Sequence, residues 1–257
     1  MFEARLIQGS LWKKIMEAIK DLLNEAIFHC SSSGINIKSM DSAHICMVCL
    51  NMKSEGFDKY RCDKNVSMGI NLLNLSKIIK CANNNDVISI KYKDDADVVS
   101  FVFDSLSGDV SNYEINLIDI DSEHVEMPDV KYPCTVKMPA LKFQKICRDL
   151  SIIGDTVTIT CTKEGIKFST GGDLVTGNIE LSHNADKEND SVIVDTGRTV
   201  CLTFSLQYLN FFSKATPISD RVVLSFSEDL LLIVKYKIPY FGHLCYYLAS
   251  KLKENDD

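Results

Sequence analysis

An amphipathic helix pattern recurs four times along the chain at a nearly constant interval. Apolar residues with i, i+3, i+4 spacing occupy residues 10–23, 72–81, 140–150 and 206–215, whose starts are separated by 62, 68 and 66 residues. Each helix is followed by short alternating runs with turn residues between them, such as 86–92 and 97–103. Alternation of this kind predicts antiparallel strands. The chain should therefore fold as four copies of one unit, a helix plus several antiparallel strands.

A local likeness groups the four units into two domains. The stretch "SSSGINIKSMDS" (31–42) follows the first helix as "TKEGIKFSTGGD" (162–173) follows the third. We therefore predict an α+β protein with two similar domains, 1–116 and 134–251, each built from two helix-plus-β-meander units. The acidic segment 117–133 contains two prolines, which favour an extended backbone, so it is predicted to be an interdomain connector lying on a surface. Residues 252–257 form an acidic tail.

Length and composition limit the class of protein. The 257 residues are 46% hydrophobic, which is enough for one large core or two ordinary ones. No apolar run approaches the ~18 residues that a membrane span needs, and "MFEARLIQGS" lacks the pattern of a secretory signal. Ten cysteines without a short disulfide pattern indicate a reducing compartment. We expect a soluble intracellular protein.

Charge is segregated between the predicted helices and the remainder. The four helical segments contain nine Lys or Arg and three Asp or Glu, a net charge of +6, whereas the rest contains 19 and 32, a net charge of −13. At 100° per residue, the cations point away from the apolar face of each helix. A basic surface on an acidic protein favours a polyanionic ligand. Lysine, a point charge, suits contact with phosphates without base readout. The alternative is an ordinary solvated lysine face on each helix.

Longer stretches resemble one family over residues 1 to about 251: "FEARLIQGSLWKKIMEAIKDLLNEA", "ICRDLSIIGD", "YLNFFSKATP" and "YKIPYFGHLCYYLA". They are similar to the eukaryotic sliding clamp family, proliferating cell nuclear antigen. The resemblance implies a head-to-tail homotrimeric ring with helices inside and sheets outside. Such a ring encircles double-stranded DNA without sequence specificity in the nucleus. It is a processivity factor for replicative DNA polymerase and a recruitment platform for replication and repair proteins, with no enzymatic activity and no cofactor.

The same resemblance implies residues for the ring itself. The DNA-facing set would be Lys13, Lys14, Lys20, Lys77, Lys80, Lys145, Arg148 and Lys214. Lys142 lies on the same side of its helix as these cations but matches no usual basic position of the family. Gln207 occupies a position where the family usually has Arg, and Ile152 one where it often has His. Ring closure would pair edge strands 108–116 and 173–182 between chains. The interface residues would be Tyr113, Leu150, Leu174, Gly177 and Ile179.

Partner proteins and the clamp loader would bind through short peptides that insert one aliphatic and two aromatic side chains. The implied pocket consists of Met40, His44, Ile45, Met47, Val125, Met127, Pro128, Tyr132, Leu231, Tyr247 and Ala249. Met40 and Met47 also suit a hydrophobic core. Leu231 and Ser250 replace family prolines and Val130 replaces a Gln, so peptide preference should differ. Lys163 matches a lysine that receives ubiquitin or its small relative.

Other motifs give little support to an enzyme. Cys46 and Cys49 form a CxxC, but in a predicted strand this spacing places the thiols on opposite faces, and no second ligand pair completes a zinc site. Acidic clusters in "DDADVV" and "LIDIDSEH" could hold Mg²⁺ in a nuclease, although a turn and a solvated linker explain them. The alternatives to a homotrimeric clamp are one subunit of a checkpoint-type or heterotrimeric clamp, a metal-dependent nuclease and a conventional DNA-binding domain.

Overall fold

The computed structural model describes residues 1–121, 132–184, 190–226 and 231–251. The helices are α1 Gly9–Ile19, α2 Leu72–Cys81, α3 Ala140–Leu150 and α4 Leu206–Ser213, with 3₁₀ turns at Ser54–Gly56 and Thr216–Ile218. Nine strands precede the connector: β1 Phe2–Leu6, β2 Glu25–Ser31, β3 Gly34–Met40, β4 Cys46–Lys53, β5 Lys59–Cys62, β6 Val66–Asn71, β7 Val87–Tyr92, β8 Val98–Asp104 and β9 Val110–Asn116. Nine follow it: β10 Cys134–Pro139, β11 Thr156–Thr162, β12 Gly165–Gly171, β13 Thr176–Ser182, β14 Ile193–Thr196, β15 Val200–Ser205, β16 Arg221–Phe226, β17 Leu231–Ile238 and β18 Gly242–Ala249.

The described residues confirm the α+β class and the four-helix repeat. Helices α2 and α3 have the predicted limits, whereas α1 ends at Ile19 and α4 at Ser213. The hydrophobic pattern overestimates the length of α1 because Leu22 and Leu23, which lie in the turn after the helix, are also buried. Their N–H groups both donate to the Ile19 carbonyl, which ends the helix in a tightened turn.

The chain divides into two compact units. The first consists of residues 1–44, 48–126 and 238–244, and the second of the remainder. In the first unit, one set of strands has the order β5-β1-β7-β8-β9 and another the order β4-β3-β2-β6. Pairings such as β1 with β7 and β2 with β6 are antiparallel. Helices α1 and α2 pack on each other and α2 packs on β2, β6 and β9. The core residues include Phe2, Trp12, Phe28 and Phe101.

The second unit has the same composition of elements. Its strands follow the orders β13-β12-β11-β15 and β14-β10-β16-β17-β18, with antiparallel pairings such as β10 with β16 and β11 with β15. Helix α3 packs on α4, β10 and β16, and α4 packs on β11 and β15. The core is rich in aromatic rings, including Phe143 and Phe204. The Phe212 and Tyr246 rings stack with centroids 4.5 Å apart.

In each unit, the first N–H group of one helix donates a hydrogen bond to a carbonyl in the loop that follows the other helix. The first N–H of α1 donates to the Asp86 carbonyl (3.0 Å), and that of α2 donates to the Asn24 carbonyl (2.9 Å). Asp86 follows α2 and Asn24 follows α1, so the arrangement is reciprocal. In the second unit the corresponding acceptors are the carbonyls of Asp220 for α3 and Asp155 for α4, each at 2.9 Å. Since a helix leaves its first N–H groups unpaired, each helix-plus-strands repeat is completed by its neighbour.

Two glycines with equivalent positions show the likeness between the units. Gly34 and Gly165 each follow a two-residue hairpin turn and pair with Ser31 and Thr162 respectively. A Cβ atom on Gly34 would collide with the Met52 carbonyl oxygen, and one on Gly165 would collide with the Leu181 carbonyl oxygen. Both glycines are therefore needed because the neighbouring strand approaches too closely for a side chain.

Replacement of Gly165 by alanine should destabilise the second unit. The added methyl group meets a backbone carbonyl that cannot move without breaking the sheet, so the free energy of unfolding should fall by about 3 kcal/mol. Denaturant unfolding followed by circular dichroism, at one fixed protein concentration, measures the change. Gly197→Ala is the control because a Cβ there meets no atom within 4 Å. Equal stability of the two variants would contradict the prediction.

Candidate nucleic-acid interface

The basic side chains of α1 and α2 lie on the side of each helix that is not packed. In α1, Trp12, Ile15 and Ile19 are buried, while Lys14 is exposed and Lys13 half-buried. In α2, Leu72, Leu75 and Ile79 are buried, and Lys77 and Lys80 are exposed. Asn71 caps α2 through a hydrogen bond from the Asn74 N–H to its side-chain oxygen (2.9 Å). The two helices therefore present their cations on surfaces opposite their buried faces.

Helix α3 also has a buried apolar side and an exposed basic side. Phe143, Ile146, Cys147 and Leu150 are buried, and Lys145 and Arg148 are exposed. Helix α4 differs because residues 206–213 contain no charged side chain; its cation, Lys214, follows the last helical residue. The Lys214 ammonium lies 5.3 Å from the centre of the Phe211 ring, a cation–π contact that holds it beside the helix.

Three of the helix cations have acidic neighbours. Lys20 binds Glu17 at 2.8 Å, and this hydrogen bond is the main reason that the pKa of Lys20 is raised above its ordinary value. Arg148 lies 3.1 Å from Asp149. Lys142 binds Asp190 at 2.6 Å, so its charge is paired with a segment far along the chain. Both Lys20 and Arg148 lie at exposed or half-exposed positions, where such pairs contribute little and exchange easily.

The predicted ring-closing segments contain strands at the edges of their sheets. Strand β9 ends the order β5-β1-β7-β8-β9 and β13 begins the order β13-β12-β11-β15. Leu174 is 97% exposed, whereas Leu150 is only 2% exposed. Gly177 and Ile179 are half-buried, and a Cβ on Gly177 would lie 3.3 Å from Leu150. The Tyr113 ring packs against Phe103 with centroids 5.2 Å apart. Leu150 is therefore a buried residue that packs under the edge strand β13.

The predicted peptide-pocket residues have different surroundings. Met47 is buried at 5% exposure, as a core residue would be, whereas Ile45 and Tyr132 are exposed. The Ala249 N–H donates to the Ile45 carbonyl at 3.5 Å, which brings these two together in the second unit. Leu231 and Tyr247 are half-buried and Ala249 is exposed. Val125, Met127, Pro128 and the departure Val130 lie outside the described residues.

A cleft in the first unit contains Met40 and His44. Its volume is about 470 Å³. Its remaining walls come from the loop after α1, strands β2 and β3, the turn after β3 and the start of the connector: Leu22, Leu23, Asn24, Glu25, Ile27, His29, Lys38, Ser39, Asp41, Ser42, Ile120 and Asp121. The connector is held here because the Ile118 N–H donates to the Gly69 carbonyl at 3.0 Å. Sequence analysis missed Ile27 and Ile120, although Ile27 is an apolar residue at a half-exposed strand position.

The remaining sequence predictions concern a lysine and the cysteines. Lys163 is exposed in the two-residue turn between β11 and β12. Cys46 is buried and Cys49 half-buried. Burial raises the pKa of the Cys49 thiol to about 11, so this thiol is largely protonated at neutral pH. Within the described ranges, no group of three or more His, Cys, Asp or Glu side chains is arranged to hold a metal ion.

The fold and the cationic helix faces define the class of protein. Paired helices on antiparallel sheets, repeated in two similar units with exposed lysines on the helices, are the architecture of a DNA clamp. Residues 1–124 match the model of the N-terminal domain of proliferating cell nuclear antigen, and residues 126–251 match that of its C-terminal domain. The chain belongs to the proliferating cell nuclear antigen family.

This membership establishes the function and confirms the resemblance found in the sequence. The protein is a DNA sliding clamp, a non-enzymatic processivity factor in DNA replication and repair. The family implies DNA and DNA polymerase as partners. In the part of the chain that the structure describes, no helix is long and apolar enough to cross a membrane.

Proposed function

We propose that three copies of the chain close head to tail into a ring in the nucleus, with duplex DNA passing through it. The observation that carries this proposal is a common polarity: the apolar sides of the four helices are buried, while the cations within α1, α2 and α3, and those directly after α1 and α4, are exposed or half-exposed. The proposed DNA-facing residues are Lys13, Lys14, Lys20, Lys77, Lys80, Lys145, Arg148 and Lys214. Lys142 is left out because it matches no usual basic position of the family, although it points in the same direction and pairs with Asp190.

Weak, non-specific contact suits a protein that slides. Each phosphate neutralised by a lysine steepens the dependence of affinity on salt by about 0.9 in a log–log plot, so tight fixed contacts would hold the ring in one place. Encirclement keeps the ring on DNA without such affinity. A polymerase bound to the ring then experiences its template at a high effective concentration.

The proposed ring closes by antiparallel pairing of β9 in one chain with β13 in the next. Both strands lie at sheet edges in the single chain, and an uncovered edge exposes unpaired backbone groups that invite aggregation. The two edges differ, so the contact is heterologous and its repetition must close into a ring or continue as a filament. The proposed contact residues are Tyr113, Leu174, Gly177 and Ile179, with Leu150 beneath them.

We further propose a domain organisation and a site for partner peptides. The domains are 1–116 and 134–251, joined by the connector 117–133 and followed by the tail 252–257. Peptides of the polymerase, the clamp loader and other replication and repair proteins would bind beside the connector. The cleft of the first unit that contains Met40 and His44 and the start of the connector supports this position. In the second unit, Ile45 and Tyr132 are exposed and so are accessible to a partner. The exposure of Lys163 supports its attachment to ubiquitin or a related modifier.

Loading on circular and linearised plasmid tests the proposed encirclement. The protein loaded by a clamp loader with ATP should remain on a nicked circle after gel filtration. It should be lost once the plasmid is cut, because a ring slides off free ends. A conventional DNA-binding domain would be retained equally on both forms, and that outcome would refute the ring.

The second candidate is one subunit of a checkpoint-type or heterotrimeric clamp. It shares the clamp fold and the cationic helices, so these features do not distinguish it. Equilibrium sedimentation of the purified chain does distinguish it, because a homotrimer should appear at three times the monomer mass at micromolar concentration. A chain that stays monomeric would favour the heterotrimeric alternative.

A further inference from the structure

Helix α4 has a gap in positive charge at its N-terminal end. Residues 206–213 contain no cation, and Lys214 lies after the last of them. At 1.5 Å per residue, Lys214 is about 12 Å along the helix axis from the first residue. By contrast, α1, α2 and α3 each carry at least two basic residues within their own helical limits.

A polar cleft of about 400 Å³ lies at this end of α4. Its walls come from the end of α3 and the turn after it, the start of α4, and the end of the described chain: Ser151, Gly154, Asp155, Ser205, Leu206, Gln207, Asn210 and Lys251. The amides of Gln207 and Asn210 in α4 and the hydroxyls of Ser151, after α3, and Ser205, before α4, therefore line the same space, together with one ammonium group and one carboxylate. Asp155 opposes an anion, while Lys251 favours one.

The backbone of Lys251 is fixed next to α4. Its N–H donates to the Thr203 carbonyl at 2.8 Å, and the two residues form an antiparallel bridge. Thr203 belongs to β15, which leads directly into α4. The side chain of Lys251 is exposed. Across the described part of the chain it has no salt bridge, unlike Lys20, Lys142 and Arg148.

We propose that Lys251 is a further DNA-facing cation, which supplies the charge that the N-terminal end of α4 lacks and binds a backbone phosphate of the duplex. This inference rests on the proposed encirclement of DNA. Lys251 and Lys214 then stand at opposite ends of the same short helix. Gln207 and Asn210 suit a phosphate because amide groups donate hydrogen bonds to its oxygens. One N–H of Asn210 already donates to the Cys147 carbonyl at 3.4 Å, which leaves the second. The Ser151 hydroxyl donates to the Arg148 carbonyl at 2.8 Å and therefore lines the cleft without donating to the phosphate. The cleft has no aromatic side chain for base stacking, so the contact is independent of sequence.

Titration of a short duplex into the full-length protein with ¹³C-methylated lysines tests the inference. Methylation keeps the charge, and the Lys251 and Lys145 signals are assigned by comparison with Lys251→Arg and Lys145→Arg. Both signals should shift at low salt. In fluorescence anisotropy, Lys251→Gln should weaken binding roughly three- to tenfold at low salt and reduce the log–log salt slope by about 1. Lys251→Arg should retain the parent affinity.

The matched control is Lys235→Gln, an exposed lysine on strand β17, which should leave affinity and salt slope unchanged. If the Lys145 signal shifts while that of Lys251 stays still, and Lys251→Gln behaves like Lys235→Gln, the inference about Lys251 is wrong and the proposed channel stands. If neither lysine responds to the duplex, both the channel and this extension of it fail.

Discussion

Reversing the charge of four helix lysines should prevent the clamp from supporting processive synthesis: Lys20→Glu, Lys77→Glu, Lys80→Glu and Lys145→Glu. Each substitution replaces a group that attracts phosphates by one that repels them, on the unpacked side of a helix. The log–log salt slope of DNA retention should fall by about 0.9 for every phosphate that is no longer neutralised. We expect product length in a primer-extension assay on nicked circular DNA to fall roughly tenfold, since repulsion acts on the loaded ring itself.

A control variant separates channel charge from net charge. Four exposed lysines on strands or turns can be reversed in the same way: Lys93→Glu, Lys137→Glu, Lys235→Glu and Lys237→Glu. Both quadruple variants change the formal charge from −7 to about −15. Loading and product length should be retained in the control. Equal loss in both variants would mean that overall charge matters and the position of the lysines does not.

Replacement of Leu174 by aspartate should convert the ring to monomers. Leu174 is 97% exposed in the single chain, so the substitution has little to disturb within one folded chain. At the proposed contact between chains, however, a carboxylate would be buried without a partner, at a cost of about 3 kcal/mol per contact. That corresponds to roughly a hundredfold weaker association. Equilibrium sedimentation at micromolar concentration should give the mass of one chain.

Tyr240→Asp is the control for this prediction, because Tyr240 is 93% exposed and lies in the turn between β17 and β18. This variant should remain trimeric. Circular dichroism should show that both variants are folded. A trimeric Leu174→Asp protein would place the ring contact elsewhere, while monomers from both variants would indicate a general effect of added charge.

The helices were predictable because their signal is local. Each buried residue of α3 lies at the spacing that the sequence shows, and α2 and α3 have the predicted limits. The prediction was wrong only at helix ends, where residues such as Leu22 are buried without being helical. The spacing of apolar residues indicates which residues are buried, but it does not show where a helix ends. When the turn after a helix also packs on the core, its residues are buried as well.

The candidate site was predictable in direction but not in detail. The cations lie on the unpacked sides of the helices, as the helical wheel predicts. The pairing of Lys142 with Asp190 joins residues that are distant along the chain, so no local pattern reveals it. The same is true of the cleft beside Met40, whose walls come from three separate segments, and of Lys251, which reaches the start of α4 through its bridge to Thr203.

The amino-acid sequence by itself determined the alternation of helix and strand, the apolar side of each helix and the segregation of its cations, since all three depend on residues within a few positions of one another. Only the tertiary structure decided which contacts join the two repeats of a unit. The first N–H of α1 binds the Asp86 carbonyl after α2, and that of α2 binds the Asn24 carbonyl after α1. These contacts join backbone groups, which differ little from residue to residue, so the sequence does not indicate them. They depend instead on how the two repeats pack together.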